Sequence, residues 1–326
     1  MELWIAGAVL VDADGARRGA LQITGGRIAQ AAPAPPPGAR VLDAHGLFLA
    51  PALIDAHVHL AFAGELQEVA AALLRAGVAA VLDLGMPERM LPPALAPLRV
   101  VVSGPLLTAP RGYPTQSWGR DGYGCELATP DEARAAVRRL HARGARFAKL
   151  AFDARSASLD AATAHAAAEE AHALGMGVAA HALDGEAARA ALAAGAEVLA
   201  HTPRLGGEGA AWVISTLQAF GVAPARLRAL REAGARVVYG TDLGNEGTAP
   251  GVDPRELRLL LEAGLTPLEV LRACTSEGAA LLGLADLGSL AVGSAASLLA
   301  LREDPLQDVT ALARPAWVMI DGVQRQ

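Results

Sequence analysis

Lysine is nearly absent from this 326-residue chain: of its 28 basic residues only Lys149 is lysine, and the rest are arginine. Cysteine is almost as scarce. Cys125 and Cys274 form no CxxC, so a disulfide framework is excluded and a reducing compartment fits. Aromatic residues make up 4%. No apolar run reaches the roughly 18 residues of a membrane helix. The start, Met1-Glu-Leu-Trp-Ile, lacks a basic segment followed by an apolar core, so no signal peptide is expected. There is no basic tract and the net charge is −6, which argues against a nucleic-acid partner. With 52% hydrophobic and 19% charged residues, disorder is excluded. The expectation is a soluble cytoplasmic protein with a small-molecule substrate and neither a membrane nor a nucleic-acid partner. A homo-oligomer stays open, since the Leu/Ala helices would tolerate a dimer.

What is present in abundance is alanine, close to a quarter of the chain, as in proteins from GC-rich genomes. Residues 2–50 hold short strand-like runs, Leu3–Val11, Ala20–Thr24, Arg27–Ala31 and Leu47–Leu49. Turn signals at Asp12–Gly15, Gly25-Gly26 and Pro33–Gly38 separate them. From about residue 51 the pattern becomes an alternation of strands and helices. Eight strands are predicted: Leu53–Val58, Ala79–Leu84, Leu98–Ser103, Arg146–Ala151, Gly177–His181, Glu197–His201, Ala211–Thr216 and Arg236–Thr241. Helices are predicted over Glu65–Ala76, Pro130–Arg143, Leu159–Leu174, Gly185–Ala194 and Pro224–Ala233, each followed by a glycine that ends it.

Eight strands with helical crossovers are the content of an α/β fold of the TIM-like (β/α)8 barrel type. A doubly wound sheet would want a glycine-rich turn after its first strand, where Asp55-Ala-His57-Val-His59 stands. After His201 too few residues remain for a full crossover, so the sixth crossover helix is expected to be shortened. Helices at Pro254–Ala263, Pro267–Ala273 and Glu277–Leu282 precede strand-like runs at Ser297–Leu301 and Ala316–Ile320. Residues 51–286 are therefore read as the barrel. Residues 1–50 plus 287–326 are read as a small composite β-sandwich domain built from both termini.

Active sites of such barrels lie at the C-terminal ends of the strands. Those ends carry His57 and His59 on the first strand, Lys149 on the fourth, His181 on the fifth, His201 on the sixth and Asp242 on the eighth. Two residues apart on an extended segment, His57 and His59 point to one side. One strand-end histidine is most often structural; four with an aspartate suggest a metal site. His141, His165 and His172 read as helix-surface residues, and His45 belongs to the small domain.

The string Asp43-Ala-His-Gly-Leu-Phe-Leu-Ala-Pro-Ala-Leu-Ile-Asp-Ala-His-Val-His59 resembles the first barrel strand of the amidohydrolase superfamily, with its HxH metal pair. Phe147-Ala-Lys149-Leu, Val178-Ala-Ala-His181, Val198-Leu-Ala-His201, Tyr239-Gly-Thr-Asp242 and Leu287–Ser297 follow in the family's order. His172–His181 and Arg255–Pro267 are similar to the imidazolonepropionase-like and Xaa-Pro-dipeptidase-like branch. Two positions depart from the pattern. Ala52 stands where glycine is usual, and Ala296-Ser297-Leu298 where Ala-Asp-Leu is usual.

The resemblance implies that His57, His59 and Asp242 hold one divalent ion, and His181 and His201 a second. Lys149, carboxylated on its amine by carbon dioxide, would bridge the two. Arginine cannot carry that carbamate, which accounts for the one lysine kept; the other reading of Lys149 is an ion-pair partner of a rim carboxylate. Zinc leads among the metals, with Mn, Co and Ni also suited to such ligands. Metal-bound water at a pKa of about 7 would supply hydroxide to attack a carbonyl carbon. Asp242 would then move the proton to the leaving amine, or serve as a ligand only.

The implied function is hydrolysis of an amide or peptide-like C–N bond, in a dipeptide, N-acyl amino acid or cyclic amide. Three alternatives remain: a mononuclear deaminase using Asp184, a lactonase or phosphotriesterase, and a non-catalytic scaffold. The glycine-rich segment Thr108–Gly124 reads as a lid or as an exposed loop with incidental aromatics. In it Arg111 or Arg120 could pair with a substrate carboxylate, and Tyr113 or Trp118 could stack. Arg204 is a further carboxylate anchor on the same reading.

Overall fold

Six consecutive buried residues, Leu53–Val58, open a parallel sheet that is covered on both faces. The structure, a computed structural model, describes residues 2–325. Seven further parallel staves follow: Val78–Asp83, Arg99–Val102, Phe147–Ala151, Gly177–His181, Val198–Leu199, Trp212–Ile214 and Arg236–Val238. The ring closes where the Ala56 amide donates to the Tyr239 carbonyl at 3.0 Å and the Asp242 amide to the His57 carbonyl at 2.9 Å. The result is a TIM-type α/β barrel.

The third stave differs from the single run that its sequence suggests. Arg99–Val102 pairs with the second strand, and a separate piece, Leu106–Thr108, pairs with the fourth. Gly104, at a φ of +79°, makes the step between the pieces. Leu106–Thr108 also pairs in parallel with Gly124–Glu126, so the 109–123 loop leaves and returns through adjacent strands.

Helices Leu66–Arg75, Pro130–Ala142, Ala161–Ala173, Gly185–Ala194 and Pro224–Glu232 cover the barrel. Their starts follow local chemistry. Thr129 caps one helix with Pro130 in its first turn, and Asp160 and Asp184 cap two others through their carboxylates. Such a cap contributes about 1 kcal/mol. Between Leu199 and Trp212 no helix forms among the described residues. Gly206, Gly207 and Gly209 all take positive φ there. A Cβ on Gly207 would meet Leu199 at 2.8 Å and Pro203 at 2.9 Å, so the link lies flat on the barrel wall.

Strands from the two ends of the chain pair beside the barrel. Phe48–Pro51 runs antiparallel to Leu298–Leu301 and parallel to Val9–Asp12 in a six-stranded sheet. A four-stranded sheet, built from Glu2–Ala6, Ala20–Thr24, Arg27–Ala32 and Val41–Asp43, shares a second core with it. Ile5, Leu10, Leu21, Ile28, Leu298 and Met319 form that core. The run Leu3–Val11 is thus two strands, broken at Gly7, whose φ is +90°. Among the described residues, no helix is long and apolar enough to cross a membrane.

Gly77 ends the first long helix at a φ of +87°, and its carbonyl accepts from the Leu53 amide at 2.8 Å. A Cβ there would stand 2.1 Å from Cδ2 of Leu299, so barrel and flanking sheet meet at a point with no room for a methyl group. Backbone strain and overpacking together set the expectation for Gly77→Ala, a loss of about 2–4 kcal/mol. Urea unfolding checks this, and a variant within about 0.5 kcal/mol of wild type would show that the contact is loose.

Candidate metal centre

The first strand ends in three residues that the eighth-strand turn holds in place. The buried Asp55 carboxylate accepts from the Thr241 hydroxyl at 2.5 Å, the Thr241 amide at 3.0 Å and the His57 amide at 3.1 Å. Burial pushes Asp55 up to about 7, and these donors oppose the rise. Next to it, Asp242 takes a φ of +55°, a strained conformation for a residue other than glycine. That turn brings Asp242 Oδ1 to 3.2 Å from His57 Nε2 and 3.3 Å from His59 Nε2. His57, His59 and Asp242 form a compact group able to hold a metal ion.

The orientation of His57 is set by its other nitrogen. Nδ1 lies 2.8 Å from the Ala200 carbonyl and must donate to it, which leaves the Nε2 lone pair facing Asp242. His201, one residue after that carbonyl, is turned by the Thr216 hydroxyl at 3.1 Å from Nδ1. Its Nε2 then stands 3.0 Å from Nδ1 of His181. Two nitrogens bound to one ion at 2.0–2.1 Å in tetrahedral geometry would stand roughly 3.3 Å apart. Both pairs of spacings suit ligands that face a common centre.

Lys149 lines the same cavity, 1% exposed, and its Nζ has no hydrogen-bond partner. His57 Nε2 and Asp242 Oδ1 are likewise buried without one. Burial pushes the Lys149 amine down to about 7, with Asp242 opposing. His181 falls to about 3 through burial and the nearby Lys149 charge, and His57 and His201 fall well below the ordinary value. Burial opposes ionisation of Asp242, yet His57, His59 and Lys149 hold it below the usual carboxylate range. His57, His181 and His201 therefore stand as neutral imidazoles beside an ionised carboxylate, the protonation states that metal binding requires.

Aromatic side chains wall the cavity, which measures about 250 Å³. Tyr113 stacks on His181 with centroids 4.5 Å apart, and Trp118 meets His59 edge to face at 5.4 Å. Trp118 Nε1 donates to the Tyr113 hydroxyl at 3.0 Å. The roof is stitched to its base. Glu126 accepts from the Arg111 amide at 2.9 Å and the Thr115 hydroxyl at 2.7 Å, and the Tyr113 amide donates to Ser156 at 3.1 Å.

The three arginines singled out in the sequence do not line the cavity. Arg111 is exposed, Arg120 donates to the Gln116 carbonyl and Arg204 to the Phe220 carbonyl. Backbone oxygens close by take the guanidiniums of the last two. Asp184 is engaged as the cap of Gly185–Ala194. His45, His141, His165 and His172 are exposed, His45 against Asp43 and His172 against Glu197.

Sequence reasoning missed Phe62 and Phe220, on the short helices Leu60–Ala63 and Leu217–Phe220, and Asn245, in the turn after the eighth strand, none of which carries a motif. It also missed Glu256, whose buried carboxylate accepts from the amides of Leu217 at 3.0 Å and Gln218 at 2.7 Å. These bonds hold the segment between Thr216, which bears on His201, and Phe220. A capping-type acid just inside a proline-started helix, Pro254-Arg255-Glu256, was the only signal available, and it is a weak one.

A profile of the amidohydrolase family matches residues 48–226 and 221–325. The imidazolonepropionase of Deinococcus deserti is 47% identical over 85 residues, 25% of this chain and 21% of that one. The chain thus matches about a fifth of the length of such curated relatives. The proposed prolidase of Bifidobacterium longum is 29% identical, with a TM-score of 0.82 over 99% of this chain and 94% of that one. A Xaa-Pro dipeptidase structure with bound methionine shares the fold at a TM-score of 0.84, covering 100% of both chains at 21% identity.

Glu256 gives the site a measurable pH signature. Burial raises it from 4.5 to about 7, with the Ser215 hydroxyl and two amides opposing. Between those values the folded chain holds a proton that the unfolded chain has lost. The group's contribution to stability therefore falls as pH rises through that window. Glu256→Gln removes this titration, so its stability relative to wild type should improve by about 1–3 kcal/mol from pH 5 to pH 8. Urea unfolding at both values checks it; a constant difference between the two proteins would refute it.

Proposed function

This chain belongs to the amidohydrolase family, and from that premise we propose that it hydrolyses an amide or peptide-like C–N bond at a binuclear metal centre bridged by carboxylated Lys149. The observation that carries this reading is Lys149 itself. It is the chain's single lysine, fully buried, with an unpartnered Nζ in the cavity that His57, His59, His181, His201 and Asp242 line. An ammonium in that position would repel divalent ions. A neutral amine there can take up carbon dioxide and present two anionic oxygens instead.

His57, His59 and Asp242 would hold one ion and His181 and His201 the other, with zinc suited to this nitrogen and carboxylate set. Bound there, the ions would polarise a carbonyl and acidify water. Asp242 is ionised and so able to accept the proton of the attacking water. Asn245 Nδ2, 3.3 Å from Asp242 Oδ2, steadies that second oxygen. The proton then goes to the leaving nitrogen as the C–N bond breaks and the new C–O bond remains, which balances hydrolysis. His57 and His201 keep their orientation throughout because Ala200 and Thr216 occupy their outer nitrogens.

Elemental analysis of wild type and Lys149→Ala, both prepared with zinc and bicarbonate, tests the bridge. About two metals per chain are expected in wild type and one or none in the variant. One metal in both proteins would sink the bridge and favour a mononuclear centre.

A further inference from the structure

The chain has five phenylalanines, three tyrosines and four tryptophans, and Phe62, Tyr113, Trp118 and Phe220 all line this one cavity. Leu106 adds a further apolar face. Apart from the imidazoles and the Tyr113 phenol, which burial raises to about 12, the ionisable groups in its lining are Lys149 and Asp242 among the described residues, and both are committed to the proposed metal centre. Arg155 and Arg204 are engaged elsewhere. Arg155 forms a two-point pair with Asp153 at 3.2 and 3.0 Å, in a separate surface cleft that also holds Arg111. Arg204 is tied to the Phe220 carbonyl at 2.9 Å.

A substrate carboxylate held against these rings, away from the metal centre, would lose water and gain no side-chain cation, an arrangement that binding sites avoid. An aryl or alkyl group would instead meet ring faces and edges. The remaining polar groups are neutral. The Tyr113 hydroxyl already accepts from Trp118, so its own proton is free to donate, and the Asn245 amide faces the same space. At about 250 Å³ the cavity falls just below the range for drug-sized ligands.

We propose that this site takes small uncharged amides that bear an aryl or alkyl group and no carboxylate, rather than dipeptides or N-acyl amino acids. The inference rests on the hydrolase reading above and narrows it. In chemical terms the products would be a small carboxylate and an amine, an aniline leaving neutral and an alkylamine protonated in water.

A matched pair tests it: acetanilide and 4-acetamidobenzoate differ by one carboxylate. Their binding to the zinc-loaded protein, and to the same protein after chelation, is measured by calorimetry, and amine release is followed separately. Acetanilide is expected to bind more tightly in both forms, on the order of tenfold or more. Phe62→Arg, at a position 40% exposed on the cavity mouth, should narrow or reverse that preference by supplying a cation. Equal or tighter binding of 4-acetamidobenzoate to wild type would overturn the proposal, as would binding of neither compound. Tight acetanilide binding with no aniline released would count against hydrolysis and leave the inferred ligand class standing.

Discussion

Asp55 is the residue on which the site's geometry depends. Its carboxylate ties the first strand to the turn after the eighth, through three donors in a space closed to water. Burying a carboxylate is unfavourable, and its rise to about 7 reflects that cost. Fully hydrogen-bonded, however, the same group fixes backbone positions that no apolar contact could specify. His57 and His59 leave the strand on one side of the clamp, and the strained Asp242 leaves the turn on the other. Barrel closure and the metal-binding group are therefore one structural event.

The two halves of the proposed centre are coupled by the backbone. Ala200 gives its carbonyl to His57 and is followed directly by His201. Any shift of the sixth strand moves a ligand of one half and the orienting partner of a ligand in the other. Thr216 and Glu256 extend that chain outward, from His201 to the segment that carries Phe220. A helix on the outside of the barrel thus bears on the position of an aromatic residue in the cavity.

The strand-end residues that meet in the cavity were legible in the sequence because two independent patterns converged on them. Strand ends of a barrel share one rim, and a spacing of two on an extended segment faces one way. Composition drew attention to Lys149 as the one lysine, and its place at a strand end beside the histidines gave it a role. Phe62, Phe220 and Asn245 were not legible, since single-turn helices and a turn too short to show a repeating pattern place them. Arg120 in the lid region and Arg204 after the sixth strand suggested anchors by charge, but the carbonyls of Gln116 and Phe220 claim them. The split third stave escaped notice because Gly104 looks like an ordinary strand end until the chain resumes pairing at Leu106.

The roof over the cavity begins and ends in adjacent parallel strands, and Glu126 and Ser156 pin its interior. Opening it would break these bonds together, along with the stack of Tyr113 on His181. A roof held in this way resists swinging open as a flap, so a ligand would enter past its edge, where Phe62 is exposed. Admission becomes a matter of molecular cross-section, so a branch on the incoming molecule slows capture even where the cavity has room for it.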